Sequence, residues 1–433
     1  MHNIGFTRGI RRLLRASALS LLVIGGATAC DNLLEVENPA AIDDADLNDF
    51  SLATTLANSA LGRAQRNFDD LAWFSAVFTD EAVNGHNFIQ WKEIDLRQMR
   101  DDNDLGHWSS IHDWRYLADT VATRLESILS DPDNRTAQSY AFAGYAYVFA
   151  GEFMCESPIN VSAEVFTSDE LTAMAIPRFQ RAIQLATAAR AAGGAAQTTA
   201  DNIINLARVG LGRAHLQLGQ DAEAIAAVTP VPANFVWMMR YSGNTGGENN
   251  LMRGATTGAN RYFGVDSTYR FLNDVRIRHA ATPVFGHNTI TPLYTPFQVS
   301  SYSGWLPTGA GVAYALDTGI RFASGLEARY IRAEAEGANA TTLALVNERR
   351  AVGGQGITAA VGAALMAELR EQRRRDFYAD GHRLGDLRRY KKEGIGDFFP
   401  RGAHPVALWG NYGDSECLPI PRAEKTGNPN LGT

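Results

Sequence analysis

The chain has 433 residues, of which 45% are hydrophobic and 20% are charged, and its formal net charge is −7. This composition is that of a folded protein and excludes a disordered one. Three cysteines exclude a disulfide-stapled scaffold and a multi-cysteine zinc or iron–sulfur module. The acidic balance excludes nucleic acid as the main partner, because no basic excess is available to displace counterions from phosphates.

The first 29 residues resemble a lipoprotein signal peptide. Four arginines precede an apolar run from Ala16 to Ile24, and small residues then lead to Cys30. This order is typical of a secretory signal, and the apolar run is too short for a permanent membrane span. A cysteine directly after small residues resembles a bacterial lipobox, although Ala27 stands where leucine is usual. We therefore predict lipidation of Cys30; an ordinary cleaved signal with an incidental cysteine is the alternative.

Export changes how the charge and the other cysteines are interpreted. Residues 1–29 carry four arginines and no acid, so their removal takes the net charge from −7 to −11. Such a surface is not attracted to anionic headgroups, so acyl chains would supply the membrane anchor. An oxidising compartment permits a disulfide between Cys155 and Cys417. Two buried free thiols are the alternative.

Helical periodicity dominates the mature chain, and no long alternation of apolar and polar residues predicts a large sheet. The fold class is therefore predicted as mainly α. In chain order, the candidate helices run over residues 46–66, 109–129, 136–153, 169–192, 202–218, 222–228, 326–336, 340–351 and 360–379.

Three segments within these helices resemble tetratricopeptide helix pairs. In the best copy, Leu211-Gly212 is followed by His215, where tyrosine is usual, and by Ala224 twelve residues after the glycine. The small residues of this template let two helices approach closely. Looser copies lie at 144–183 and 328–346. Together they favour a helical-repeat scaffold.

Residues 241–311 differ from this scaffold in composition. They are rich in Gly, Asn, Thr and Ser, with aromatic residues scattered among them. We predict a loop-rich insertion at about 235–320, made of long loops with short strands or helical turns. Long ordered loops on a rigid scaffold often carry binding function.

Four segments, in this order along the mature chain, resemble the SusD/RagB family of outer-membrane nutrient-binding lipoproteins. They are Leu34–Ile42, Tyr330–Ala335 with Val346–Arg350, Glu371–Tyr390, and Leu418–Pro421 with Asn428–Asn430. The departure from the family pattern is Leu384-Gly385, where an aromatic pair is usual. This difference bears on local packing.

The resemblance implies a single SusD-like α-helical domain over residues 30–433, with tetratricopeptide-type helix pairs and an irregular binding half. It implies lipid anchoring in the outer membrane, facing the cell exterior. It also implies a SusC-like TonB-dependent transporter as partner, an oligosaccharide or peptide as ligand, and no catalytic activity.

Candidate ligand residues follow from the chemistry of sugars, which stack on flat apolar faces and present hydroxyls to planar polar groups. Aromatic residues beside polar neighbours or in the loop-rich half are therefore the candidates, with core packing as the alternative for each. They are Trp73, Trp91, Tyr294, Phe297, Tyr302 and Trp305.

Other groups of polar residues in the sequence do not indicate a catalytic or metal site. The run of arginines and aspartates between Arg373 and Arg389 predicts a structural cluster of ion pairs, because the planar guanidinium suits bidentate pairing with carboxylates. No nucleophile elbow, phosphate loop or HExxH motif is present, so no catalytic residue, metal or cofactor is predicted. An exported glycan-active enzyme and a helical-repeat interaction scaffold without a solute ligand are the alternative functions.

Overall fold

The computed structural model describes residue 44 and residues 46–103, 105–129, 131–297 and 313–431. The chain divides into two units, Met1–Leu52 and Ala53–Thr433. In the first unit, the described residues include the 3₁₀ turns Asp46–Asn48 and Phe50–Leu52. Cys30 lies outside the described residues.

Helices dominate the second unit, as the periodicity predicts. In chain order they are α1 (Ala53–Phe78), α2 (Ile89–Asp95), α3 (His107–Ile128), α4 (Asn134–Phe153), α5 (Ser168–Ala173), α6 (Ala175–Ala189), α7 (Gly194–Gln217), α8 (Asp221–Val228), α9 (Leu251–Thr256), α10 (Ser267–Arg270), α11 (Gly325–Glu336), α12 (Ala340–Val352), α13 (Gly362–Asp376), α14 (Arg383–Lys392) and α15 (Arg422–Gly427). Within the described part of the chain, no helix combines the length and apolarity that a membrane span requires.

The long helices pack on their neighbours in the chain, and glycines make the approach possible. Helix α1 packs on α3, α3 on α4, α4 on α6, α6 on α7, and α7 on α8. A Cβ on Gly212 would lie 2.3 Å from Cγ1 of Val228, so α7 and α8 can meet only where a side chain is missing. A Cβ on Gly144 or Gly210 would lie 2.7 or 2.3 Å from the ring of Phe179. The two glycines thus form a slot for this ring, in agreement with tetratricopeptide-type packing.

One predicted helix is divided. The region predicted as one helix over 169–192 forms α5 and α6, which meet at Met174, and then a 3₁₀ turn over Arg190–Ala192. Pro177 lies in the first turn of α6 and has no N–H to donate to the carbonyl of Ala173, so the helical hydrogen-bond ladder cannot run through this point. The side chain of Thr167 accepts from the backbone of Glu170 and starts α5 with a capping box.

Short strands organise the loop-rich insertion. Strand β4 (Val236–Met239) pairs antiparallel with β8 (Ile320–Ser324), and this ladder closes the base of the insertion. Strand β1 (Ala82–Asn84), directly after α1, pairs with β5 (Phe263–Val265) and attaches the insertion to the scaffold. Two further ladders join β2 (Glu156–Pro158) to β3 (Val165–Thr167) and β6 (Val284–Phe285) to β7 (Pro292–Leu293).

Buried ion pairs join the C-terminal helices to the rest of the unit. The carboxylate of Asp376 accepts from Arg349 at 2.8 Å and from the hydroxyl of Tyr330 at 2.6 Å, and Nη1 of Arg276 lies 3.1 Å away. Burial alone would raise the pKa of Asp376, but the charge of Arg276 and the contacts with Arg349 hold it below its usual range. Further buried pairs are Arg373–Asp386, Arg321–Asp380 and Arg383–Asp80. The predicted structural role of this arginine-rich run is confirmed.

Packing explains the glycine at position 385, where the SusD/RagB pattern has an aromatic residue. A Cβ on Gly385 would lie 2.5 Å from Cδ of Glu152. Glu152 is buried at the end of α4 and forms a bidentate pair with Arg213, with N–O distances of 2.7 and 2.5 Å. A larger side chain at residue 385 would collide with this pair.

Cys155 and Cys417 form a disulfide, with their Cα atoms 5.0 Å apart. The backbone adds two hydrogen bonds beside it, from Cys155 N–H to the carbonyl of Leu418 at 2.9 Å and from Leu418 N–H to the carbonyl of Phe153 at 2.7 Å. Of the two sequence alternatives, the bridge is the one observed. It fixes the C-terminal segment to the end of α4.

Candidate functional site

Trp91 lies half-buried on α2 at the centre of a group of aromatic rings. The ring of His86 stacks on it, with centroids 4.4 Å apart and planes 12° from parallel. Tyr262 meets it edge-on at 4.8 Å, and Trp73 at 4.6 Å. Phe88 lies 4.8 Å from His86 and is 58% exposed. We call the exposed part of this group, formed by His86, Phe88, Trp91 and Tyr262, the Trp91 surface.

The fold holds α2 in place through Asp95. Its Oδ2 accepts the N–H of Asn84 at 2.7 Å, and its Oδ1 lies 3.1 Å from Nε2 of His404. Burial raises the pKa of Asp95. Because Asn84 belongs to β1, these bonds fix α2 against the strand pair that carries the insertion. Tyr262, which directly precedes β5, is brought to Trp91 by the same strand pair.

His86 contributes an uncharged face to the surface. Burial, together with the nearby ring of His287 at 5.4 Å, lowers the pKa of His86. At neutral pH its imidazole is therefore in the neutral form, which stacks on Trp91 without a charge to hydrate. The stacked pair and the exposed ring of Phe88 present flat apolar area to solvent.

A polar cleft of about 450 Å³ lies on the same side of α1. Residues that line it include Arg66, Asn67, Asp69, Asp70, Ser110 and Asn249. Asp70 lies 3.3 Å from Nε2 of His107, whose ring stacks on Trp73 at 5.9 Å. Burial raises the pKa of Tyr262, and the charge of Asp70 raises it further. Asp70 and His107 therefore link the cleft to Trp73, on which the Trp91 surface rests.

Asp69 is the buried carboxyl of this cleft, with only 4% of its surface exposed. Its two oxygens accept the backbone N–H groups of Leu251 at 2.7 Å and of Asp70 at 2.9 Å. Burial raises the pKa of Asp69 to about 7. Its charge therefore changes close to neutral pH, at the point where α1 meets α9.

The predicted ligand residues differ in how much of their surface is exposed in the structure. Trp91 is half-buried among other rings and keeps part of its surface in solvent, as a stacking residue must. Trp73 has no exposed surface and cannot offer a face to a ligand, because α1 packs it beneath Trp91. Tyr294 and Phe297 are half-buried, and Phe297 lines a separate pocket. Tyr302 and Trp305 lie outside the described residues and stay predictions.

Sequence reasoning missed Phe88, which lies three residues before Trp91, and it missed His86 and Tyr262. The last two belong to segments 176 positions apart, and the β1–β5 ladder brings them together, extended by a hydrogen bond from the N–H of Gly85 to the carbonyl of Tyr262 at 2.8 Å. Their local signal is weak, although Asn84-Gly85-His86-Asn87 has the composition of a turn. Among the described residues, no group of three or more His, Cys, Asp or Glu side chains is arranged to hold a metal ion.

Comparisons with known proteins identify the fold. No protein-family model and no curated protein matches the chain. Solved structures do match. A SusD superfamily protein from Parabacteroides distasonis aligns with a TM-score of 0.64 at 14% identity, covering 88% of this chain and 98% of the other.

Two further matches are proteins of known ligand. A laminarin-binding SusD-like protein aligns with a TM-score of 0.57 at 16% identity over 89% of this chain and 98% of its own. Surface glycan-binding protein A from Bacteroides thetaiotaomicron, in complex with laminarihexaose, gives 0.62 at 14% identity over 89% and 99%. The chain therefore has the mainly α-helical fold of the SusD superfamily, as the sequence motifs predict.

Proposed function

We propose that the protein is a non-catalytic glycan-binding protein that captures oligosaccharides on the Trp91 surface. The observation that carries this proposal is a half-buried tryptophan, stacked with a neutral histidine and bordered by a polar cleft. Aromatic faces stack against sugar rings, while Arg66 and Asn249 in the cleft offer planar polar groups to hydroxyls. Structures of the same fold that bind laminarin or laminarihexaose support this ligand class. A peptide ligand is the second candidate.

The wider setting of the proposal comes from the sequence motifs. A lipid on Cys30 anchors the protein in the outer membrane, facing the cell exterior. A SusC-like TonB-dependent transporter receives the glycan, with this protein as its lid. Capture between two proteins requires only modest affinity from each, because the second contact is made at high effective concentration.

Replacement of Trp91 by Ala tests the binding surface. We expect Trp91→Ala to weaken the binding of laminarihexaose at least tenfold, since one buried aromatic contact contributes about 1.5 kcal/mol or more. Isothermal titration measures the affinity, and circular dichroism checks that the helices are retained. Tyr116→Ala is the matched control, because Tyr116 lies on α3 and is 60% exposed. Equal affinity in wild type and Trp91→Ala would remove the Trp91 surface from the proposal.

Replacement of Cys30 by Ser tests the anchor and the partner. Without a thiol to acylate, Cys30→Ser is expected to leave the membrane fraction, while the wild type stays there and co-purifies with a β-barrel transporter. Persistence of Cys30→Ser in membranes contradicts the lipidation. Turnover of a glycan by the purified protein contradicts the non-catalytic assignment.

A further inference from the structure

A second pocket, of about 520 Å³, lies in the insertion at a distance along the chain from the Trp91 surface. We call it the arginine pocket; Arg270, Asp274, Arg278, His279 and Phe297 are among its lining residues. Backbone hydrogen bonds shape it. The N–H of Phe297 donates to the carbonyl of Arg278 at 2.8 Å, and that of Ala280 donates to the carbonyl of Thr295 at 2.9 Å. Two extended segments thereby form one wall.

The two arginines of this pocket are oriented by neutral groups. The guanidinium of Arg270 lies over the ring of Tyr294, 4.1 Å from its centroid, and 5.1 Å from that of Phe271. Its Nε is buried and has no hydrogen-bond partner among the described residues. Nε of Arg278 donates to the carbonyl of Val275 at 3.1 Å. Aromatic stacking and a backbone carbonyl thus fix both side chains without neutralising their charge.

The acid that lines the pocket is already paired. Asp274 accepts from Nε and Nη2 of Arg276 at 2.9 and 2.6 Å and from Arg375 at 3.1 Å. Burial alone would raise the pKa of Asp274, but these bonds keep it below its usual range. Among the described residues, no carboxylate forms an ion pair with Arg270 or Arg278. Residues 298–312, which follow Phe297 in the chain, contain no Asp or Glu.

Two fixed, uncompensated guanidiniums beside aromatic rings define a ligand of particular chemistry. A guanidinium fork pairs with a carboxylate through two parallel hydrogen bonds. The half-buried ring of Phe297 and the ring of Phe271, which is 80% exposed, offer faces for a sugar ring close to that carboxylate. A neutral sugar would leave both charges unmatched in a partly desolvated pocket.

We propose that the arginine pocket binds the carboxylate of a uronic acid, so that the glycan captured by this protein is an acidic one. This inference rests on the glycan-binding function proposed above and names the substrate class. The sugar ring lies against Phe297 while Arg270 and Arg278 hold its carboxylate. The neutral part of the chain is left to the Trp91 surface.

The test compares acidic glycans with their uncharged esters on the full mature chain. The probes are the trisaccharides of galacturonate, glucuronate and mannuronate and their methyl esters, which keep the ring and remove the charge. We expect at least one free acid to bind about tenfold or more tightly than its ester, because hydrogen bonds to charged groups are the stronger ones. Added salt is expected to weaken the binding of the acid only.

Substitutions of the two arginines test whether the preference for the free acid over its ester arises in the arginine pocket. Arg278→Gln and Arg270→Gln are each expected to reduce the acid-to-ester ratio at least fivefold while ester affinity stays unchanged. Arg240→Gln, which removes an exposed arginine elsewhere in the insertion, is the matched control. Thermal unfolding reports any loss of folding in Arg270→Gln, whose side chain packs on Tyr294; Arg278→Gln provides the test if that variant unfolds.

The outcomes separate this inference from the proposed function. Equal affinity for acids and esters, or a preference that survives both substitutions, overturns the uronate site even if laminarihexaose binds and Trp91→Ala abolishes that binding. Binding of triglutamate that depends on the two arginines, with no binding of the uronates, overturns it in favour of an acidic peptide. Absence of binding to every glycan, neutral or acidic, overturns the proposed function itself.

Discussion

The helical scaffold buries some of its aromatic rings completely, whereas the loop-rich insertion leaves several of its rings partly exposed. In the scaffold, Phe179 is fully buried in a slot between two glycines, and Trp73 is covered on all sides. In the insertion, Tyr262, Tyr294 and Phe297 keep part of their surface in solvent. The difference arises from the backbone. The close packing of α4, α6 and α7 encloses Phe179 completely, whereas the β1–β5 ladder supports Tyr262 and leaves part of the ring in solvent. The contrast holds for these rings, since Phe263 and Tyr269 of the insertion are buried.

A matched pair of Phe→Ala substitutions tests this contrast most strongly. Phe179→Ala is expected to lower the free energy of unfolding by about 4 kcal/mol, because helices held apart by rigid backbone cannot collapse into the cavity. Phe271→Ala, in the insertion, is expected to change it by less than about 0.5 kcal/mol. Chemical denaturation followed by circular dichroism measures both. Similar losses in the two variants would contradict the contrast.

The second test concerns what holds the insertion on the scaffold. Asp376→Asn removes the buried carboxylate that pairs with Arg276 of the insertion and Arg349 of α12. We expect the free energy of unfolding to fall by about 3 kcal/mol, because two buried guanidinium groups lose a partner. The control is Asp169→Asn, which removes an exposed pair with Lys392 and is expected to cost less than about 1 kcal/mol. A loss below 1 kcal/mol in Asp376→Asn would mean that this carboxylate contributes little to the attachment of the insertion.

A pH profile gives the smallest effect and addresses the contact between α1 and α9. The pKa of Asp69 is raised from 3.8 to about 7 in the folded protein, so the folded state holds this proton more tightly than the unfolded chain does. The residue therefore lowers the free energy of unfolding as pH rises from about 4 to about 7. Asp69→Asn cannot titrate, but its amide keeps only one of the two acceptor oxygens and so loses one of the backbone hydrogen bonds at every pH. Its free energy of unfolding relative to the wild type should therefore rise by about 2 kcal/mol or more between pH 4 and pH 7, on top of that constant loss.

Denaturation at several pH values measures this difference. Asp113→Asn, which changes a carboxylate that is 65% exposed, is the control and is expected to give a nearly constant offset. A constant offset for Asp69→Asn as well would show that the carboxyl titrates in the folded state as it does in the unfolded chain.

The sequence predicts the scaffold well because helix periodicity is a local property. The predicted helix over 136–153 is observed as Asn134–Phe153, and the one over 340–351 as Ala340–Val352. The division of α5 from α6 is missed because the apolar pattern continues across it, although Pro177 marks the place. The early start of α7 at Gly194 is missed because its first turns are rich in small and polar residues that carry little periodicity.

The site is less predictable because it depends on contacts between distant segments. Trp91 is identified from its polar neighbours, but nothing near Trp73 in sequence distinguishes a buried tryptophan from an exposed one. Trp73 is buried because His107 of α3 and Tyr262 of the insertion pack against it. The arginine pocket is predictable in part, since Phe297 is among the candidates, whereas the pairing of Asp274 with Arg276 and Arg375 requires the fold.

The disulfide between Cys155 and Cys417 encloses 262 positions of the chain, including the whole insertion. A protease that cuts once in any loop of that span would produce two fragments that remain covalently joined. Under non-reducing electrophoresis the protein would keep its full mass, and it would separate into fragments only after reduction. One bridge therefore keeps a chain that has been cut within the insertion in a single covalent piece.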